Sequence, residues 1–309
     1  MIDIIGKRYW YFALSLLVIL PGLISLALYR LPLAIDYTGG SMLELRLPSG
    51  VAPSSEEVSG IVGGAAGFAV ANIRVQPSLQ GTLIIRTQEM DAATQARVMD
   101  ALRARYGDVV LERFESVGPT VGAEVTQGAL VAVAMAALAI MLYLTFAFRQ
   151  VPHAFRYGVA AILALVHDIA VVVGAASIFG RVFGWEVDAL FLTAVLTVIG
   201  FSVHDSIVVF DRIRENLLRY RGEPYERIVN HSILQTLDRS LNTQLTLIFT
   251  LVALLLFGGT TIRHFIATLL IGMISGTYSS LFNAAPILVV WEKREWRTWF
   301  RRPVEQPVP

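Results

Sequence analysis

The 309-residue sequence contains no cysteine, which excludes disulfide frameworks, thiolate metal sites and cysteine nucleophiles. Charge is scarce as well: Asp, Glu, Lys and Arg make up 16% of the residues, where a soluble domain carries roughly a quarter. The formal net charge of +1 offers no excess of either sign, so no nucleic-acid partner is expected. Low-complexity sequence is also lacking, apart from a short proline-containing tail at 302–309 that is expected to be disordered. What fills the space left by charge is apolar. Hydrophobic types make up 55% of the chain, and they gather into long runs.

A bilayer core about 30 Å thick needs roughly 20 residues of apolar helix. Six runs meet or approach that length, at 11–29, 128–148, 157–179, 187–210, 241–258 and 265–291. The first follows Lys7 and Arg8 like a signal peptide. It is too long for a signal-peptide core, however, and Ala27-Leu28-Tyr29 is a poor cleavage site, so it reads as an uncleaved anchor. Basic residues set the orientation. Lys7 and Arg8 precede span 1, and Arg149 and Arg156 separate spans 2 and 3. Arg212, Arg214, Arg219, Arg221, Arg227 and Arg239 follow span 4, and Lys293, Arg294, Arg297, Arg301 and Arg302 follow span 6. The alternate short loops carry Arg181 and Arg263 alone. Both termini are therefore expected in the cytoplasm and the 30–127 segment outside. The expected organisation is 1–29 cytoplasmic N-terminus and helix 1, 30–127 extracytoplasmic domain with linkers, 128–291 helices 2–6, and 292–309 cytoplasmic tail.

The 36–118 segment alternates between strand and helix periodicities. Strands are expected at 41–47, 70–76, 82–87 and 110–117. Ser54 opens one helix, with Glu57 placed to complete a capping box. Asp91 opens a second that runs through Tyr106 and stops at Gly107. The order β-α-β-β-α-β is the ferredoxin-like pattern. A structural domain and a binding module both fit it, because fold alone does not decide function.

Three spans hold residues that hydrocarbon should reject. Span 3 carries His167-Asp168 and span 4 carries His204-Asp205. Span 5 opens on Asp238-Arg239-Ser240, followed by Asn242, Thr243 and Gln244. An Asp at mid-bilayer costs roughly 2.5–3.5 kcal/mol on insertion scales, so such residues face the bundle interior and mark functional sites. At 1.5 Å per residue, Asp168 falls about 16 Å from the cytoplasmic end of its span and Asp205 about 8 Å. Arg239 lies on the same side as Asp205, and the two are expected to meet. Burial raises a carboxylate's pKa and a neighbouring arginine lowers it, a balance suited to a proton carrier. Three other readings stand beside this one. The His-Asp pairs could be purely structural. Metal binding would need ligands from further helices, because adjacent residues point about 100° apart. A Ser-His-Asp hydrolase could use Ser202 or Ser206, though neither stands in a G-x-S-x-G context. In span 6, Gly272-xxx-Gly276 with Ser275, Ser279 and Ser280 makes a face that another helix, from this chain or a partner, could approach, and Pro286 is expected to kink the span.

Several of these segments resemble one family. Asp36-Tyr37-Thr38-Gly39-Gly40-Ser41 is similar to the Asp-aromatic-Thr-Gly-Gly signature of the SecD/SecF family of protein-export membrane subunits, within the RND superfamily. The 117–124 segment (VGPTVGAE), the 198–216 segment (VIGFSVHDSIVVFDRIREN, with Asp211, Arg212 and Asn216), the 235–243 segment (QTLDRSLNT) and Phe257-Gly258-Gly259 resemble SecF-type members at the corresponding places. The resemblance covers nearly the whole chain. One departure is His204, where the family usually has Asn.

The resemblance implies a polytopic α-helical membrane protein of the bacterial inner membrane, its six spans forming an RND half-bundle with a ferredoxin-like extracytoplasmic domain between helices 1 and 2. It implies a subunit that acts with a SecD-like partner at the SecYEG channel on translocating preprotein, surrounded by membrane lipids. The proton-motive force would drive it, with protons as the coupling ion, no bound cofactor and no covalent catalysis. Asp205 and Arg239 would take part in proton passage, with Asp168, His167 and His204 as further members of that pathway. The alternative is half of a proton-driven exporter of small molecules, and six spans would again require a partner half.

Overall fold

The computed structural model describes residues 2–48, 53–77, 81–259 and 262–297. The tail expected at 302–309, with Arg301 and Arg302, lies outside the described residues. The chain forms two compact units, Leu33–Val131 and the remainder on either side of it.

Helix α1 (Arg8–Tyr29) precedes the inner unit. That unit begins with the single turn α2 (Ile35–Thr38) and runs β1 (Gly40–Arg46), α3 (Ser55–Ala66), β2 (Arg74–Pro77), β3 (Leu83–Thr87), α4 (Ala92–Tyr106) and β4 (Val110–Val117). The strands form one sheet in the order β2-β3-β1-β4, antiparallel at every pairing, with Leu43 opposite both Ile85 and Phe114. Alternate side chains Ser41, Leu43 and Leu45 of β1 and Leu83, Ile85 and Thr87 of β3 are buried, as a period of two requires when one face is covered. That face packs against Val58 and Val62 of α3 and Val98, Met99 and Leu102 of α4.

Local chemistry sets the helix ends. Ser54 accepts a hydrogen bond from the Glu57 backbone N–H at 3.2 Å, and Asp91 accepts one from Thr94 at 2.8 Å. The reciprocal half of the expected capping box is replaced: the Glu57 carboxylate accepts from Arg105 Nε at 2.9 Å. A charge-assisted bond to the neighbouring helix outcompetes a backbone N–H. The strand expected from position 70 starts at Arg74 instead, because Asn72 and Ile73 close a tight turn through hydrogen bonds to Ala69 (2.9 Å) and Val70 (3.0 Å).

The remaining helices are α5 (Pro119–Ala147), α6 (Phe155–Phe183), α7 (Ala189–Arg219), α8 (Tyr225–Phe257), α9 (Arg263–Ser279) and α10 (Ala285–Glu292), the last two joined by a π-helical turn, Ser280–Ala284. Counting α9–α10 as one stretch and α1 with its preceding turn, six helices among the described residues are long and apolar enough to cross a membrane. Helices α7 and α8 extend well past the apolar runs expected at 187–210 and 241–258. The polar continuations remain helical through ion pairs such as Arg212–Glu215 (2.7 Å) and Asp211–Arg214 (2.6 Å). The wide turn before Pro286 has a direct cause: proline has no N–H to donate, and its ring crowds the carbonyl four residues back.

Small residues let the backbones touch. A Cβ on Gly22 of α1 would stand 2.7 Å from the Gly174 Cα of α6, and the Ser25 and Ser177 hydroxyls pair one turn on at 3.0 Å. A Cβ on Gly272 would collide with Val198, and one on Gly276 would stand 3.2 Å from the Ser202 Cβ. The Gly272-xxx-Gly276 face is thus occupied by α7 of this same chain. At one end of the bundle, Asn230 of α8 holds the N-terminal segment, accepting from the Ile4 and Ile5 backbone at 2.8 and 3.2 Å. Arg8 pairs there with Glu295 and Glu226, and Lys293 with Glu226. Burial pushes the Glu295 carboxyl up, but hydrogen bonds from Arg8 and Tyr9 outweigh it and hold the group below the usual range.

Two adjacent glycines of α3 should respond oppositely to a methyl group. A Cβ on Gly64 meets nothing within 4 Å, whereas one on Gly63 stands 2.9 Å from the Phe68 carbonyl oxygen. In the isolated 33–117 segment, Gly64→Ala is expected to stabilise by about 0.5–1 kcal/mol, and Gly63→Ala to destabilise by about 1–3 kcal/mol. Cooperative urea unfolding reads both; equal effects would contradict the packing.

Candidate functional site: two carboxylates inside the helix bundle

Asp168 lies on α6 and is 1% exposed. Its two oxygens accept four hydrogen bonds. Ser202 of α7 and Ser279 of α9 donate to Oδ2 at 2.6 and 2.7 Å. Ser275 of α9 donates to Oδ1 at 2.6 Å, and His167 Nδ1 lies 3.0 Å from the same oxygen. A carboxylate has about four lone-pair positions, so this one is saturated. The donors come from three helices, and the glycines above explain how they arrive: Gly276 leaves room for α7 to bring Ser202 within reach. His167 rests against the Tyr278 ring, with centroids 6.1 Å apart, and its Nε2 is buried without a hydrogen-bond partner. Ser202 donates its hydrogen bond to the Asp168 carboxylate, and among the described residues no imidazole is in hydrogen-bond contact with it, so the Ser-His-Asp arrangement is not assembled there.

Asp205 on α7 is 4% exposed and is treated differently. Gln244 of α8, 3% exposed, donates its Nε2 to Asp205 Oδ2. The other end of that amide, Gln244 Oε1, and the Ser206 hydroxyl are both buried without hydrogen-bond partners among the described residues. Arg239 does not occupy the place expected for it. It is exposed, and among the described residues no ion pair joins it to Asp205. The reason is helical phase. The inward stripe of α8 runs through buried Thr236, Ser240 and Gln244, every fourth residue. Arg239 stands one position off that stripe, about 100° around the helix. His204 likewise stands one position from Asp205 and is exposed. The pairs His167-Asp168 and His204-Asp205 therefore differ: the first histidine is part of its carboxylate's shell, and the second faces outward.

The other motif residues are structural in visible ways. Asn216 is buried and donates to Ser232 Oγ and Gln235 Oε1, each at 2.9 Å, joining α7 to α8. Asp211 and Arg212 form the exposed ion pairs already described. In the sheet unit, Asp36 and Thr38 belong to the turn α2, and Gly39 and Gly40 take φ values of +70° and +119°. Those values suit glycine, and space demands it too. A Cβ on Gly39 would stand 2.7 Å from the Pro119 Cα, and one on Gly122 would stand 2.9 Å from the Tyr37 carbonyl oxygen. The 36–40 turn and the start of α5 fit together by absence of side chains. Gln244, Ser275 and Ser279 were the residues whose roles the sequence pattern left unread. The signal for Gln244 was the fourfold polar spacing with Thr236 and Ser240.

Six long apolar helices among the described residues, with two buried, hydrogen-bonded carboxylates on α6 and α7, define a polytopic helical membrane protein. The family model described as "Protein export membrane protein SecD/SecF, C-terminal" matches residues 97–294, and the chain belongs to the SecD/SecF family. It is 51% identical to the protein translocase subunit SecF of Anaerolinea thermophila over 98% of each chain, and 49% identical to that of Thermobaculum terrenum, again over 98% of each. The crystal structure of SecDF from Thermus thermophilus, a translocon-associated membrane protein, superposes with a TM-score of 0.82 at 31% identity, covering 95% of this chain and 39% of that one.

The Asp168 shell predicts a graded loss of stability. Ser275→Ala and Ser279→Ala should each cost about 0.5–2 kcal/mol, the range measured for hydrogen bonds between membrane helices. Asp168→Leu, which strands all the donors at once, should cost more than either by unfolding in detergent. An Asp168→Leu chain as stable as the original would show that the shell does not hold the bundle.

Proposed function

We propose that this chain is a SecF-type auxiliary subunit of the Sec preprotein translocase, which works with a SecD-like six-span partner and uses proton passage to promote export through the SecYEG channel. One observation carries the need for a partner. Within helices long enough to span a membrane, His204 of α7 and Arg239 and Asn242 of α8 are exposed. Polar side chains at that depth require protein or water against them rather than hydrocarbon. The SecDF chain of Thermus thermophilus is much longer than the part this chain matches, and a separate SecD-like chain would supply the remainder.

Asp205 is the proton carrier in this reading. It receives one amide donor and has unfilled polar atoms beside it, whereas Asp168 is saturated and serves to staple α6, α7 and α9. Arg239, on the outward face of α8, belongs to the interface with the partner, where it completes the path together with His204. No bound cofactor enters; protons are the coupling ion. The β2-β3-β1-β4 antiparallel sheet with two helices on one face supports a ferredoxin-like domain. The arginine asymmetry favours that domain outside, and both termini in the cytoplasm of a bacterial inner membrane.

Affinity purification from native membranes is expected to recover a heteromer with a SecD-like chain, and vesicles lacking this chain should lose the proton-gradient-dependent part of export. A fully active monomer or homodimer would contradict the proposal. Topology has its own test in this cysteine-free chain. An impermeant maleimide added to spheroplasts should label Asp100→Cys in α4 and spare Glu223→Cys between α7 and α8; the reverse pattern would overturn the orientation.

A further inference from the structure

We infer that Gln244 is the positioning residue for Asp205: its side-chain amide turns over when the carboxyl gains a proton, donating to the ionised form and accepting from the protonated one. The inference rests on Asp205 being the proton carrier proposed above, and deepens that reading.

The geometry supplies both halves of the exchange. Gln244 Nε2 already donates to Asp205 Oδ2, the arrangement that suits an ionised carboxylate. That leaves Gln244 Oε1 buried and empty, an acceptor with no donor. An orphaned amide oxygen in an apolar interior is costly. A protonated Asp205 offers the missing donor, because the acid then presents an O–H where it formerly presented only lone pairs. A half-turn of the amide about its last torsion interchanges the N and O ends without moving the helix. The Ser206 hydroxyl, next to Asp205 in sequence, is likewise buried without a hydrogen-bond partner among the described residues. The proton stays on Asp205 throughout; Gln244 neither gains nor loses one.

The other titratable groups around this pair do not do the same work. His204 follows α7 outward, one position from Asp205, and is exposed. Asp168 and His167 on α6 are engaged with each other, and reach α7 through Ser202, three residues before Asp205. Arg239 on α8 is exposed, five positions before Gln244. On α9, Tyr278 donates its hydroxyl to the Tyr11 carbonyl oxygen. Only Gln244 is in hydrogen-bond contact with the Asp205 carboxylate among the described residues.

The test is infrared difference spectroscopy on the full chain with its partner in proteoliposomes, carrying isotope-labelled glutamine side chains. On acidification, the protonated-carboxyl band of Asp205, identified by its loss in Asp205→Asn, should appear together with a shift of a glutamine amide C=O band. Gln244→Leu should remove that amide signal. Asp205→Asn should freeze it. Gln244→Leu should also slow proton-driven export by about tenfold or more, the order expected for losing a hydrogen bond to an ionised group. The double exchange Asp205→Asn with Gln244→Glu keeps an acid facing an amide with the roles swapped, and should recover export that Asp205→Asn alone lacks. A carboxyl band that titrates with no accompanying change in the Gln244 amide would overturn this inference alone. Absence of any Asp205 titration would instead overturn the proton-carrier reading beneath it.

Discussion

The bundle depends on one constraint: a carboxylate deep among membrane helices needs hydrogen-bond donors that lipid does not supply. Asp168 meets it with three serine hydroxyls and one imidazole drawn from α6, α7 and α9. Other features follow from that requirement. The donors reach it only if the helix backbones come close, and Gly272 and Gly276 permit that against Val198 and Ser202. The π-helical turn begins directly after Ser279, so Ser275 and Ser279 both lie within the regular helix α9.

Asp205 shows what the same lipid environment does when the shell is left incomplete. With a single amide donor from α8 and two unpartnered polar atoms nearby, its hydrogen bonding is not closed. Asp168 is thus held by four contacts from three helices, and Asp205 by one. In the reading proposed above, the two aspartates divide structural and functional duty by coordination number rather than by residue type. The exposed His204 and Arg239 lie on the same two helices, α7 and α8, that carry Asp205 and Gln244.

Much of this was legible in the sequence, because long apolar runs and period-two alternation report directly on the solvent each residue meets. Strand β4 begins and ends where its pattern does. Element ends were harder where local chemistry intervened, as at Asn72 and at Glu57, whose better partner sat on another helix. Helices α7 and α8 outran their apolar runs because ion pairs sustain helix where hydrophobicity stops reporting. The pairing of Asp205 with Arg239 was inferred from depth alone, which fixes height along a helix and says nothing of rotation; one residue of phase turned Arg239 outward and Gln244 inward. Ser275 and Ser279 are legible as one face of span 6, but the convergence of that face with Ser202 of another helix on Asp168 is not, since hydroxyls on membrane helices are common.

The most direct measurement is proton-gradient-driven preprotein export in membrane vesicles containing Asp205→Asn. Asparagine nearly matches the carboxylate in shape and cannot carry a proton. The account predicts that the variant inserts and assembles normally while the gradient-dependent part of export disappears. Undiminished gradient-driven export would contradict it and leave Asp205 a structural residue.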